Sequence, residues 1–123
     1  MPVVSVRALP RDGLDVAAAG ARIGAAIAAA AGVAPTDIWL VWSDIAPGRY
    51  VVAGSAPARQ PDETHPPLVE ISAAAGRPPE VAEAIMRAAA SSIASELGVD
   101  PKNVRVIYAE VPRGRLYSRE KLQ

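Results

Sequence analysis

The sequence has no cysteine and no phenylalanine. Without cysteine there is no disulfide framework, no thiol nucleophile and no zinc–thiolate site. Aromatic residues make up only 4% of the 123 residues, although half of the chain is hydrophobic. Alanine fills the difference, with 26 copies. A core of small side chains buries little area per residue, which predicts help from a partner subunit. Charge of one sign is also missing: thirteen basic residues balance thirteen acidic ones. The balance holds locally, with five of each in residues 1–62 and eight of each in 63–123. This argues against nucleic acid and acidic membrane surfaces as partners. No long apolar run is present. The nearest candidate, residues 16–34, contains Arg22 and is mostly Ala and Gly, so it reads as a soluble helix packed on a sheet. The N-terminus lacks the charged-then-apolar order of a signal peptide, and the chain is expected in the cytoplasm.

What is present is a repeat. Residues 32–38 (GVAPTDI) return as 98–104 (GVDPKNV), at an offset of 66. Residues 44–49 (DIAPGR) return as 110–115 (EVPRGR), and 2–6 (PVVSV) resembles 67–71 (PLVEI) at an offset of 65. Two copies are too few for a solenoid and fit a duplicated unit fused in one chain.

Each copy has the same element order. Residues 3–9 and 68–74 read as buried strands. Residues 14–31 and 79–97 read as helices, the first carried by alanine propensity. Gly32 and Gly98 follow the helix ends, and Pro79 opens the second helix. Residues 38–43 and 104–109 are the closing strands. The chain is therefore α+β: two β-α-β units, about 2–53 and 67–117, joined by a polar, proline-rich linker, 54–66. They predict one domain with a four-stranded sheet and both helices on one face. The other face needs a cover, and symmetric self-association is the simplest one.

Pro2 is the most suggestive residue for chemistry. Loss of Met1 would leave a free secondary amine at the head of a buried strand. An α-amine titrates near ~8 in water, and burial or nearby arginine lowers that value. A neutral amine can act as a general base or as a nucleophile toward carbonyls. Arg105 lies inside the fourth strand, between Val104 and Val106. A guanidinium there either meets a carboxylate, such as Glu70 or Glu110, or waits for an anionic ligand. Arg77 follows the third strand in the turn Ala75-Gly76-Arg77-Pro78-Pro79.

With these residues in place, the chain resembles the tautomerase superfamily, which includes 4-oxalocrotonate tautomerase and macrophage migration inhibitory factor. The resemblance rests on Pro2 opening a strand, the duplicated β-α-β, Gly76-Arg77 after Pro67, and Asn103-Val104-Arg105-Val106-Ile107. The length resembles the fused, two-unit members, such as cis-3-chloroacrylic acid dehalogenase. The resemblance implies a homotrimer and a catalytic proline matching Pro2. It implies carboxylate-binding arginines matching Arg77 and, in the first copy, Arg11. The second-strand arginine matches Arg105, with Trp39 in its place in the first copy. The aromatic after the Gly-x turn matches Tyr50. Pro67 is internal, so the resemblance implies one working amine per chain.

The match to the dehalogenase branch is incomplete. The first helix has no histidine, Ala74 stands where a further arginine belongs, and Ser118 lies near the late acid position. Proton transfer by the amine needs fewer groups. The expected function is tautomerisation of a small 2-oxo carboxylic acid with Pro2 as base and no cofactor. The alternatives are a dehalogenase- or decarboxylase-like lyase using the same amine, and a non-catalytic trimeric binder if Met1 is retained. Tyr108 is a further candidate hydrogen-bond donor to substrate. Trp39 and Trp42 are three apart on one strand and cannot share a face. His65, beside Asp62 and Glu63, is expected to be a solvated linker residue, and no metal site is expected.

Overall fold

A computed structural model describes all 123 residues. The elements are β1 (Val3–Ala8), α1 (Val16–Ala31), β2 (Trp39–Asp44), β3 (Leu68–Ala74), α2 (Pro79–Leu97) and β4 (Arg105–Val111). A short C-terminal hairpin, β5 (Tyr117–Ser118) and β6 (Lys121–Leu122), follows. The four long strands form one sheet in the order β2-β1-β3-β4. Pairs β1–β2 and β3–β4 are parallel, and the central pair β1–β3 is antiparallel. This is the expected α+β sheet of two β-α-β units.

The two helices end alike because their sequences do. Gly32 (φ 70°) and Gly98 (φ 65°) each adopt the left-handed conformation that glycine tolerates without a Cβ clash. The next residues, Val33 and Val99, each donate back to Ala28 and Ala94 at 3.0 Å. At the first helix N-terminus the Asp15 carboxylate accepts from the Ala18 N–H at 3.1 Å. Helix α1 therefore starts two residues later than the periodicity suggests.

The core lies between the helices and one face of the sheet. Strand parity turns Val4, Val6 and Ala8 of β1, and Val69, Ile71 and Ala73 of β3, toward the helices. Ile23 and Ile27 of α1 and Ile85, Ala89, Ile93 and Leu97 of α2 meet them. The opposite sheet face carries no layer. Trp39, Val41 and Ile107 project there and are 42%, 56% and 40% exposed. No helix is long and apolar enough to cross a membrane.

The linker, 54–66, is a packed strap. Gln60 is buried and accepts from the Leu9 N–H at 3.2 Å while donating to the His65 carbonyl at 2.8 Å. Asn103, also buried, donates to the Thr64 carbonyl at 2.9 Å. His65 is buried as well, contrary to the solvated expectation. Its Nε2 lies 2.8 Å from the Ser55 carbonyl, which can only accept, so Nε2 carries the proton. Its Nδ1 faces the Thr64 hydroxyl at 3.0 Å.

Candidate active site

The antiparallel centre of the sheet decides which residues can meet. Val3 pairs with Ser72, and Arg7 pairs with Leu68. Pro2 therefore opens β1 at one edge of the sheet, and Pro67 precedes β3 at the opposite edge. The two prolines are structural equivalents. The Trp39 N–H donates to the Pro2 carbonyl at 3.1 Å, and the Arg105 N–H donates to the Pro67 carbonyl at 3.1 Å.

The Pro2 edge holds three of the candidates. The Pro2 side chain is fully buried. Trp39 lies alongside it, on the open face of β2. Arg77 follows β3 at the same edge, after a turn in which Gly76 takes φ 124°. Its side chain is half-buried and makes no ion pair. The Val111 carbonyl accepts from the Ala75 N–H at 3.0 Å and fixes the start of that turn.

The Pro67 edge holds Arg105, Tyr50 and Arg11. Arg105 opens β4 beside Leu68. It is five residues along β1 and two strands across from Pro2, a separation on the order of 19 Å. It is exposed and pairs with neither Glu70 nor Glu110. Glu110 cannot reach it, because strand parity places that side chain on the other face. Tyr50 is also here. Its hydroxyl donates to the Pro66 carbonyl at 2.9 Å, and its ring meets His65 edge-on at 5.0 Å. Burial pushes the Tyr50 phenol above its ordinary value, and Arg105 and Arg7 partly offset that rise. Arg11 follows β1 at this edge and lies against the end of α2. A Cβ added at Gly98 would sit 2.8 Å from its Nη2. That position puts a cation at a helix C-terminus.

Two sequence candidates are thus reassigned. Tyr50 cannot screen Pro2 in its own chain, because it sits at the far edge. Tyr108 is in register with Ile71, on the helix side of the sheet. Its hydroxyl is buried without a partner, as is the Trp42 Nε1. Both side chains pack against the core. Trp39 and Trp42 do fall on opposite faces.

Arg7 is the residue that sequence reading missed. It lies on the open face with Ser5 and is exposed without a partner. Its parity in the alternation Val4, Ser5, Val6, Arg7, Ala8 was the available signal. It lines a cavity of about 370 Å³ on the open face, together with Arg105, Glu70, Ser5, Ser43 and Leu68. No group of His, Asp and Glu side chains is arranged to hold a metal ion.

No protein-family model and no curated protein sequence matches the chain. Solved structures do. A native fused 4-OT superposes with a TM-score of 0.84 at 20% identity, over 98% of this chain and 94% of that one. A fused 4-OT solved as a symmetric trimer gives 0.81 at 21% identity, with the same coverage. A member of the cis-3-chloroacrylic acid dehalogenase family gives 0.73 at 21% identity, over 98% of this chain and 82% of that one. A further match, solved after inactivation by 2-oxo-3-pentynoate, gives 0.84 at 16% identity, over 98% of this chain and 94% of that one. The paired β-α-β units thus follow a shared architecture: the chain has the fold of the fused 4-OT structures.

Proposed function

We propose that the chain is a homotrimeric tautomerase acting on a small 2-oxo carboxylic acid, with Pro2 as its base. The observation that carries this reading is the pairing of Pro2 and Arg77 at one sheet edge. A buried amine there is disfavoured as an ammonium, and Arg77 is an unpaired fork for a substrate carboxylate. With Met1 removed, the Pro2 nitrogen takes the hydroxyl proton of the enol form of the substrate. The O–H electron pair forms the carbonyl, the double bonds shift along the conjugated chain, and the same nitrogen returns the proton to a carbon of that chain. Bonds and protons balance without a cofactor. Trp39 shields the nitrogen from water on the open face.

Pro67 keeps an amide nitrogen and cannot act this way, so each chain has one working edge. Arg105 lies at the far edge of its own chain and does not enter this minimal mechanism. The trimer is supported by the uncovered sheet face, where Trp39, Val41 and Ile107 are exposed, and by the trimeric fused 4-OT structures.

Intact mass of natively expressed protein tests the first requirement, and a retained Met1 sinks the mechanism. Enol-to-keto conversion of simple 2-hydroxydienoates tests the second. Pro2→Ala is expected to lower the rate by about 10²–10⁴-fold, and Arg77→Ala to raise KM. 2-Oxo-3-pentynoate is expected to label Pro2 once per chain. Borohydride trapping of a carbonyl substrate on Pro2 would replace the base role with an iminium role.

A further inference from the structure

Each chain carries an apolar hairpin with no seat and an apolar groove with no occupant. The hairpin is β5–β6. Tyr117 pairs with Leu122 across it, so both side chains lie on one face. They are 70% and 69% exposed, because that face packs on nothing in its own chain. The connecting turn, Arg119-Glu120, takes φ 54° and 60°. Two-residue turns of this kind favour Asn-Gly, so arginine and glutamate hold the turn under strain. Strands this short do not stabilise a hairpin by themselves. The hairpin therefore needs a surface to lie on.

The groove runs between α1 and the edge strand β2, on the helix side of the sheet and away from the open face. Two adjoining cavities of about 360 and 300 Å³ form it, and Gly20, Ala21 and Leu40 line both. Trp42 closes one end, and Ala25 and Ile38 line the other. The repeat shows why it is open. At the offset of 66, Met86 stands in α2 where Gly20 stands in α1, and no cavity forms beside α2.

We propose that the β5–β6 hairpin of one copy docks in the α1–β2 groove of the next, with Tyr117 and Leu122 against Ile38 and Leu40. This rests on the homotrimer proposed above and adds what locks its copies together. In a ring whose open faces turn inward, the free edge β4 of one copy stands beside the free edge β2 of the next. The row Trp39–Val3–Ser72–Ala109 puts the start of β2 and the end of β4 at the same end of the sheet. The hairpin leaves β4 at that end and emerges beside the neighbour's groove. Its own groove lies three strand spacings away, about 14 Å. Charge agrees with this occupant. Residues 113–121 carry Arg113, Arg115, Arg119 and Lys121 against Glu120, and none of these cations is ion-paired in its own chain. Asp15, Asp37 and Asp44 flank the groove, also without ion pairs. The cation of α1, Arg22, is already taken by Glu96. Opposite charges steer the hairpin to the groove and fix its register.

The chain has no cysteine, so engineered cysteines report this contact alone. Leu122→Cys combined with Ala25→Cys, treated with a short bis-maleimide, is expected to give a covalent ladder ending at three chains on denaturing electrophoresis. Leu122→Cys combined with Glu83→Cys, exposed on α2, is expected to give at least ~10-fold less, because no docking raises the local concentration there. Adding Gly20→Met fills the groove and is expected to abolish the ladder. A Cβ at Gly20 meets Leu40 Cδ2 at 3.5 Å, an ordinary contact that the helix tolerates. Without any cysteine, Leu122→Asp is expected to raise the concentration at which the trimer dissociates by at least ~10-fold. Sedimentation of wild type separates the two readings. A monomer overturns the trimer and the docking together. A trimer whose Leu122→Cys/Ala25→Cys form gives no ladder, or links only within one chain, overturns the docking alone. So does a ladder that survives Gly20→Met, or a trimer as tight with Leu122→Asp as without it.

Discussion

Replacing Gln60 with alanine removes one hydrogen bond that fastens the strap to the end of β1 and two that brace the strap internally. Its Oε1 accepts from the Leu9 N–H, and its Nε2 donates to the carbonyls of His65 and Pro61. The Pro61 carbonyl keeps a second donor, Asn103 at 3.3 Å. The Leu9 N–H and the His65 carbonyl are left without Gln60, and both residues are buried. Each orphaned buried group costs about 1–3 kcal/mol, so Gln60→Ala should destabilise the chain by roughly 2–4 kcal/mol once water relieves part of the loss. For a chain of this length that corresponds to about 4 °C per kcal/mol, hence a fall in Tm on the order of 8–16 °C. Scanning calorimetry at one fixed protein concentration measures it, because association also shifts Tm. Gln60→Glu keeps the acceptor for Leu9 and turns a carboxylate toward two carbonyls, so it should be no more stable than the alanine variant. A fall of less than ~2 °C for both variants would refute the reasoning and show that the strap is not fastened by this side chain.

Two titrations follow from the same geometry. Arg22 donates to Glu96 across the two helices at 2.9 Å, and this hydrogen bond holds the Glu96 carboxyl below its ordinary value. A depressed carboxylate contributes stability above the unfolded value of about 4.3 and loses it as pH falls through the folded one. The urea-midpoint advantage of wild type over Glu96→Gln should therefore shrink in acid, and a difference independent of pH would contradict the pairing. Tyr50 shifts the other way, so its contribution is present below about pH 10 and is lost as pH rises through its raised folded value. Ultraviolet absorbance should show one phenol ionising late in wild type and not in Tyr50→Phe. The same variant loses the bond to the Pro66 carbonyl, worth about 1 kcal/mol. An unchanged alkaline titration would place Tyr50 in solvent.

The elements were legible because their signals are local. The repeated GVxPxx motif marks both helix ends, and β3 and α2 span the residues that the pattern suggests. The buried polar strap was not legible. GSAPARQPDETHP has the composition of a solvated connection, and nothing local distinguishes Gln60 or His65 from exposed residues. Their burial depends on Leu9 and Asn103, which are distant in sequence. The distance of Arg105 and Tyr50 from Pro2 within one chain was not legible for a different reason. Motif matching assigns residues to a site by type and says nothing of which edge they reach.

That edge is set by one relation, the antiparallel pairing of β1 with β3. Once two parallel β-α-β units meet across an antiparallel centre, equivalent positions of the two copies must lie at opposite ends of the sheet. Pro2 and Pro67 then head separate edges, and so do Trp39 and Arg105. The duplication therefore does not build one site from two halves of the repeat. It builds two edges that can diverge, because each draws its closing turn from the other copy: Arg77 comes to Pro2, and Arg11 comes to Pro67. With Met1 removed only the chain terminus carries a free amine, so the proton chemistry proposed above falls to the Pro2 edge alone. The Pro67 edge keeps the cations without the base.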